Sequence, residues 1–125
     1  MTANVDGLLV YPKALAAAGE VSAIIRRPCF AKDQRLREQL GSASERVASL
    51  ISEGFEQSTD RHFAQYLYRA RGSAREIRTQ LVVACTRQHL LETERCNVDA
   101  KYEEIAKMLT GLIRHLERED RKHRP

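Results

Sequence analysis

The chain has 125 residues and a formal net charge of +4, and 30% of its residues are charged and 42% hydrophobic. This length fits one domain, which can bury a core without metal or disulfide crosslinks. The three prolines, six glycines and three cysteines exclude collagen-like and disulfide-rich classes. No apolar run approaches the roughly 20 residues that span a bilayer, so we expect no membrane segment.

The first predicted helix covers residues 12–26, and the eight residues before about position 9 are expected to be flexible. Pro28 ends the helix, since proline cannot continue it. Its apolar residues recur at helical spacing: Leu15, Ala18, Val21 and Ile25.

Two longer helices are predicted over residues 33–53 and 60–91. Asp33 is placed as an N-cap and Gly54 as a C-cap glycine. The start of the third helix is indicated by Ser58-Thr59-Asp60. Both helices carry one apolar stripe with alternating spacings of four and three. The stripes are Leu36, Leu40, Ala43, Val47 and Leu50, and then Phe63, Leu67, Ala70, Ala74, Ile77, Leu81 and Ala84.

The fourth predicted helix covers residues 98–120 behind Asn97 as a cap, and residues 121–125 are expected to be flexible. Residues 91–96 (LETERC) are either a loop or a helical extension. The stripe of this helix is Val98, Tyr102, Ile105, Leu109, Leu112 and Leu116. No segment alternates like a strand. The sequence therefore predicts a single-domain, all-α, antiparallel up-down four-helix bundle.

The cysteines favour a reducing compartment. Cys29, Cys85 and Cys96 are odd in number and form no CxxC pair, so free thiols in a cytoplasmic protein are predicted. The N-terminus has no basic region before its apolar stretch and does not read as a signal peptide. Cys85 and His89 have the i, i+4 spacing of two metal ligands, but no second pair accompanies them. We predict no metal and no cofactor.

Apolar residues beyond the core stripe indicate self-association. The segment Leu81–Cys85 is apolar on every side of its helix, which in a small bundle calls for a neighbour outside the chain. Gly72 costs about 1 kcal/mol relative to alanine within a helix. Gly72-Ser73-Ala74 is thus the best candidate for a tight helix crossing, within the bundle or between chains. Alternatively, the exposed valine is a scattered surface hydrophobe.

Two stretches of the chain resemble the 23S rRNA-intervening-sequence proteins, a four-helix-bundle family. They are Asp33–Leu40 followed by Val47–Phe55, and Phe63 followed by Tyr66–Leu81, which contains Gly-Ser-x-x-Glu-x-x-x-Gln. Leu50 stands where the family usually has Asn, Arg46 where a small residue is frequent, and Ser42 where Arg is common. The resemblance implies a bundle that assembles into rings, with pentamers favoured. It also implies similarity to accessory proteins of diversity-generating retroelements, which are basic and bind nucleic acid.

The residues that match the second signature form one candidate site. They are Glu53, Gly72, Ser73, Glu76 and Gln80. The carboxylates can serve a cation or acid–base chemistry, or the set can be a hydrogen-bonded network that fixes helix register or a subunit contact. We favour the network. A dimetal bundle needs Glu-x-x-His motifs, which this chain lacks, and no catalytic signature is present, so no enzyme is predicted.

The second candidate site is a basic stripe. Residues 60–92 hold six arginines against three acidic residues, a surplus of three. The stripe on the third helix consists of Tyr68, Arg71, Arg75 and Arg78. It is aided by Arg61, Arg114 and Arg118 and by the C-terminal cluster of Arg121, Lys122 and Arg124. Guanidinium groups bind phosphate and a tyrosine can stack on an unpaired base. The other reading is a solvated charged face.

We therefore predict a non-enzymatic, oligomeric protein that binds RNA or DNA with little sequence preference. In a ring, repetition of a weak patch would raise its avidity. The alternative is a structural or adaptor oligomer whose partner is another protein.

Overall fold

The computed structural model describes residues 8–124. Four α-helices account for most of the chain: α1 (Val10–Ile25), α2 (Gln34–Phe55), α3 (Asp60–Thr86) and α4 (Glu92–Lys122). A short 3-10 helix (Pro28–Lys32) lies between α1 and α2. Flexible ends were predicted for 1–8 and 121–125. Residues 1–7 and 125 lie outside the described part, whereas Arg121 and Lys122 form the last turn of α4.

The helices pack in a cycle around one core. The contacts of α3 with α2 and α4 are the most extensive, and α1 closes the cycle against α2 and α4. Residues 8–124 contain no strand. The prediction of an all-α four-helix bundle is confirmed. No helix within 8–124 combines the length and the apolar character that a membrane span needs.

Three of the four residues in the predicted apolar stripe of α1 lie one position away from the true core, and Val21 is confirmed. Leu15 is 47% exposed, and Ala18 and Ile25 are only partly buried. The residues that enter the core are Val10, Ala14, Ala17, Val21 and Ile24. Because α1 is apolar on most of its surface, its sequence permits both stripes, and only the position of its neighbours decides between them.

Of the predicted caps of α2 and α3, only the one at the start of α3 makes a side-chain hydrogen bond. Asp33 occupies the N-cap position of α2 but makes no cap hydrogen bond. Thr59 does cap α3, since its hydroxyl accepts from the His62 N–H at 3.2 Å. Gly54 is not a C-cap: it lies buried inside α2, which continues to Phe55.

The turn between α3 and α4 differs from the prediction. Helix α3 ends at Thr86, five residues before the predicted end, and α4 begins at Glu92. The His89 N–H donates to the Ala84 carbonyl and the Gln88 N–H to the Cys85 carbonyl, which is a Schellman closure with Gln88 at φ 64°. A glutamine in this position gives no sequence signal, because glycine is the usual residue there.

Helix α4 thus starts six residues earlier than predicted, and Asn97 is an interior residue, not its cap. Glu94 stabilises the start of the helix instead, since its carboxylate accepts a hydrogen bond from the Leu91 N–H at 2.9 Å. Glu92 and Glu94 lie in the first turn, where the helix dipole favours negative charge. Of the two readings of residues 91–96, the helical extension holds from Glu92 onward.

The apolar segment Leu81–Cys85 divides between the core and the surface. Leu81 and Ala84 are fully buried within the chain. Val82 is 48% exposed on the outer side of α3. The chain alone therefore covers part of the segment and leaves one valine in contact with solvent.

The tight helix contact is at Gly54 and not at Gly72. A Cβ built on Gly54 would lie 2.8 Å from the Tyr66 Cβ and 3.0 Å from a Phe63 ring carbon. A Cβ on Gly72 would meet no atom within 4 Å. Within the chain, Gly72 itself faces open space, whereas Ser73 and Ala74 of the predicted crossing are buried.

Alanine substitutions of these two glycines are expected to act in opposite directions. Gly54→Ala should lower the free energy of unfolding by about 1–2 kcal/mol, because overpacking of about 1–3 kcal/mol exceeds the gain in helix propensity. Gly72→Ala should raise it by about 1 kcal/mol. Urea unfolding followed by circular dichroism measures both. Stabilisation by Gly54→Ala would contradict the close α2–α3 contact.

Candidate nucleic-acid interface

The basic stripe of α3 is partly neutralised by α4. Arg78 donates from Nε to Asp99 Oδ1 at 2.9 Å and from Nη2 to Asp99 Oδ2 at 3.2 Å. A third contact reaches Glu103 at 3.5 Å. The hydrogen bonds to Asp99 raise the pKa of Arg78. Arg78 therefore holds α3 to α4, and its guanidinium is already paired with carboxylates and is not available to a ligand.

Tyr68 and Arg71 form a second contact with α4. The Tyr68 hydroxyl donates to Glu117 Oε1 at 2.8 Å, which raises the pKa of the phenol. The Arg71 guanidinium lies 4.9 Å from the centroid of the Tyr68 ring and donates to Thr110 Oγ1 at 3.0 Å. The ring is thus fixed in orientation while Tyr68 stays 43% exposed.

Arg75 is the member of the stripe that remains available. Its side chain is exposed and has no carboxylate partner within residues 8–124. It projects into a groove between α3 and α4, which we call the α3–α4 groove. Two clefts make up this groove.

The central cleft encloses about 430 Å³. Its charged residues are Arg75, Arg78, Glu103, Lys107 and Arg114. The terminal cleft lies nearer the end of α4 and encloses about 360 Å³. Its polar lining consists of Arg61, Gln65, Tyr68, Glu117, Asp120, Arg121 and Arg124. Together the clefts hold seven basic and three acidic residues, a difference of four positive charges.

The C-terminal cluster contributes unequally to the groove. Lys122 pairs with Glu119 at 3.2 Å, which lowers the pKa of that carboxyl, and Arg124 pairs with Asp120. Arg121 lines the terminal cleft, and no acidic side chain of the described chain pairs with it. Of the three predicted residues, Arg121 is the one best placed to meet an anion.

The signature residues do not all converge. Arg46 on α2 joins two of them, donating to Glu76 Oε2 at 3.0 Å and to Ser73 Oγ at 3.4 Å. Glu53 is exposed, and Gln80 is half-buried; in the described structure neither takes part in this cluster. The carboxylates of Glu53 and Glu76 are therefore not brought together. The cluster of Arg46, Ser73 and Glu76 is a polar contact between α2 and α3.

Arg46 was not placed in the site from sequence, although the signal was present. Arg46 and Ser42 are two of the three positions named above as different from the family that the sequence resembles, and they lie four residues apart on α2. In the structure Arg46 Nη1 donates to Ser42 Oγ at 2.8 Å. The two departures are therefore linked on one face of the helix.

A further polar cluster, which the sequence did not predict, ties the 3-10 helix to the α3–α4 turn. Asp33 accepts from Arg87 at 3.0 Å and lies 2.8 Å from the His89 Nε2. Arg27 donates to Glu94 Oε1 at 3.1 Å. The hydrogen bond from His89, then that from Arg87, lowers the pKa of Asp33, and Arg27 lowers that of Glu94 to about 2.

Acid is expected to destabilise the protein through this cluster. A carboxyl whose folded pKa is depressed stabilises the fold above its unfolded pKa, and this contribution is lost as pH falls through the folded pKa. The free energy of unfolding should therefore fall between about pH 4.5 and pH 2. Glu94→Gln should flatten this decline, whereas Glu38→Gln, at an exposed position of α2, should not. Urea titrations at fixed pH values measure the slopes. Equal slopes would show that Glu94 does not contribute.

The three cysteines are free thiols. Cys85 donates to Glu92 Oε2 at 3.2 Å, and this hydrogen bond raises the thiol pKa, which makes the thiolate less accessible. Cys29 and Cys96 are exposed. In the described residues, no group of three or more His, Cys, Asp and Glu side chains is placed to hold a metal ion.

Comparison with known proteins bears on the fold and the family. Residues 6–111 match the family described as 23S rRNA-intervening sequence protein. The chain belongs to this family. A solved structure with a similar fold is a protein of unknown function from the S23 ribosomal protein family of Bacteroides thetaiotaomicron VPI-5482. It shares 18% identity at a TM-score of 0.76, over 84% of this chain and 98% of the other. No curated protein matched the sequence.

Family membership agrees with the resemblance that the two signature stretches carried. At 18% identity the solved relative supports the fold alone. The description of the α3–α4 groove therefore rests on the residues of this chain and not on the solved relative. Arg75, Arg114 and Arg121, the groove arginines without a carboxylate partner in the described chain, are the residues on which the functional proposal is based.

Proposed function

We propose that this member of the family is a non-enzymatic protein that binds RNA or DNA along the α3–α4 groove. The observation that carries the proposal is the surplus of basic residues in the groove, seven against three acidic ones, which persists when Asp99 is counted as the partner of Arg78. Arg75, Arg114 and Arg121 have no carboxylate partner within the described chain, so their guanidinium groups are free to bind phosphate.

The proposed surface differs from the stripe predicted on α3 alone. Arg71 holds α4 and covers Tyr68, and Arg78 holds α4 through Asp99. Arg114 of α4, which the prediction set beside the stripe, lines the groove without a carboxylate partner in the described chain, and Lys107 lines it paired with Glu103. Phosphate contacts of this kind give affinity with little sequence dependence. We also propose that this protein is similar to the accessory proteins of diversity-generating retroelements, which are basic and bind nucleic acid.

The test is the salt dependence of binding to a labelled, unstructured 20-nucleotide strand, followed by fluorescence anisotropy. The double variant Arg75→Ala/Arg114→Ala should weaken binding about tenfold and reduce the slope of log K against log salt by about 1.4, as expected for two lost single-strand phosphate contacts. No binding of the unmodified protein at low salt would contradict the proposal.

The matched control is Arg26→Ala/Arg35→Ala. These arginines are also exposed and unpartnered in the described chain, but they lie at the end of α1 and the start of α2, away from the groove. Binding and salt slope should stay close to those of the unmodified protein. An equal loss in both variants would mean that net charge, and not the groove, controls binding.

We also propose that copies of this chain associate, and that a pentameric ring is the favoured state. The proposed compartment is the cytoplasm. The support for the ring is the resemblance to a ring-forming family, and the exposed apolar side chains available for such contacts include Leu15 on α1, Val82 on α3 and Leu91 before α4. Native mass spectrometry of the purified protein reports the stoichiometry and any carried nucleic acid together. A single-subunit mass at micromolar concentration would contradict the ring. Reproducible co-purification of a second protein would favour the adaptor alternative.

A further inference from the structure

The terminal cleft combines an aromatic ring, cations and carboxylates. Glu117 and Asp120 place hydrogen-bond acceptors in this cleft beside its arginines. We propose that this cleft binds one unstacked guanine of a single strand, with Tyr68 as the stacking platform and Glu117 as the group that reads the base. This inference rests on the proposed nucleic-acid function and specifies what the groove selects.

Tyr68 forms part of the wall of the cleft. Arg71, one turn after Tyr68, covers the ring from 4.9 Å and does not line the cleft. Arg61, Ala64 and Gln65, which precede Tyr68 on α3, do line it. The ring therefore has a guanidinium on one side and open space on the other. A base stacked in that space would complete an arginine–tyrosine–base sandwich.

Glu117 lies at the hydroxyl edge of the same ring. Its Oε1 accepts from the Tyr68 hydroxyl at 2.8 Å, and within the described chain Oε2 has no hydrogen-bond donor. A base that stacks on Tyr68 would bring its polar edge toward this carboxylate. The hydrogen bond to Tyr68 fixes the carboxylate before the ligand arrives.

A carboxylate distinguishes guanine from the other bases by donor pattern. Guanine presents two adjacent donors, N1–H and the N2 amino group, which match the two carboxylate oxygens. Adenine and cytosine place a ring-nitrogen acceptor beside their amino group, and uracil and thymine flank N3–H with two carbonyls. In those cases one carboxylate oxygen would face a lone pair. Unstacked bases are commonly read in this way on their Watson–Crick edges.

The size and charge of the cleft suit one nucleotide. Its volume of about 360 Å³ lies near the lower end of the range for small-molecule sites. Arg61 and Arg121 line it without a carboxylate partner in the described residues, so they are available to the flanking phosphates. Asp120 pairs with Arg124, whereas Glu117 is bonded to the Tyr68 hydroxyl and so lies at the edge of the ring on which a base would stack.

The test compares 12-nucleotide strands of uridine with one central position varied as U, A, C, G or inosine, together with the corresponding thymidine-based DNA series. The single guanine should tighten binding about tenfold. Inosine, which keeps N1–H and lacks the N2 amino group, should fall between guanine and uridine. The RNA and DNA series should agree in preference, since the cleft recognises base and phosphate.

Variants of Tyr68 and Glu117 separate the stacking of the base from the recognition of its polar edge. Tyr68→Ala should abolish the tenfold gain from guanine, and Tyr68→Phe should keep most of it because the ring remains. Glu117→Gln should remove the guanine preference while all-uridine binding stays equal or tightens. Thermal melts identify any variant that fails to fold, and Tyr68→Phe with Glu117→Gln then carries the test.

The outcomes are distinct for the two proposals. If the all-uridine strand does not bind at low salt, the proposed function fails and this inference with it. If every strand binds equally, the groove binds nucleic acid and the guanine site is wrong. A guanine preference that survives Glu117→Gln would overturn the assignment of the reading group.

Discussion

Replacement of Phe30 by alanine is expected to lower the free energy of unfolding by about 3–5 kcal/mol. Phe30 belongs to the five-residue 3-10 helix and is completely buried. Its ring lies 4.5 Å from the His89 ring, centroid to centroid, so it packs the α1–α2 connection against the α3–α4 turn. Removal would leave a cavity that rigid helix ends cannot fill.

Urea unfolding of Phe30→Ala measures this loss, and Lys32→Ala is the matched control in the same short helix. Lys32 is exposed, so its substitution should change the free energy of unfolding by less than about 0.5 kcal/mol. A loss below about 1 kcal/mol for Phe30→Ala would show that the connection is not docked as described.

Tyr102→Phe is expected to stabilise the protein by about 1–3 kcal/mol, the cost of a buried polar group without a partner. Tyr102 is fully buried on α4, and its hydroxyl has no hydrogen-bond partner among the described residues. Burial raises the pKa of this phenol, and the nearby Glu20 adds to the effect. Phenylalanine keeps the ring in the core and removes only the unsatisfied oxygen.

The control for this substitution is Tyr66→Phe. Tyr66 is only half-buried, so loss of its hydroxyl should change the free energy of unfolding by less than about 0.5 kcal/mol. Urea titrations of both variants give the comparison. Destabilisation of Tyr102→Phe by about 1 kcal/mol would show that the hydroxyl has a hydrogen-bond partner after all.

The helices were predictable because each carries its own periodic signal. The stripes of α2, α3 and α4 enter the core nearly as predicted, with Phe63 and Leu112 only half-buried. Two features had no local signal. Phe30 lies in a segment too short for periodicity, and Gln88 adopts a left-handed turn that glycine normally marks.

The candidate site was less predictable than the fold, because its properties depend on pairs of helices. Arg78 looks like any other arginine of the stripe until Asp99, 21 residues later, is seen beside it. The same holds for Tyr68 and Glu117, which are 49 residues apart. A helix face read alone shows which charges are present, and only the neighbouring helix shows which of them remain free.

The cyclic packing of the helices also determines how quickly the chain can assemble. Most interhelical contacts join consecutive helices, and the principal exception is the pairing of α1 with α4. Such a low contact order places helical bundles among proteins that fold within microseconds to milliseconds. Because joining α1 to α4 encloses the longest stretch of chain, this seam carries the largest loop-closure entropy and is expected to form after the α2–α3 and α3–α4 hairpins.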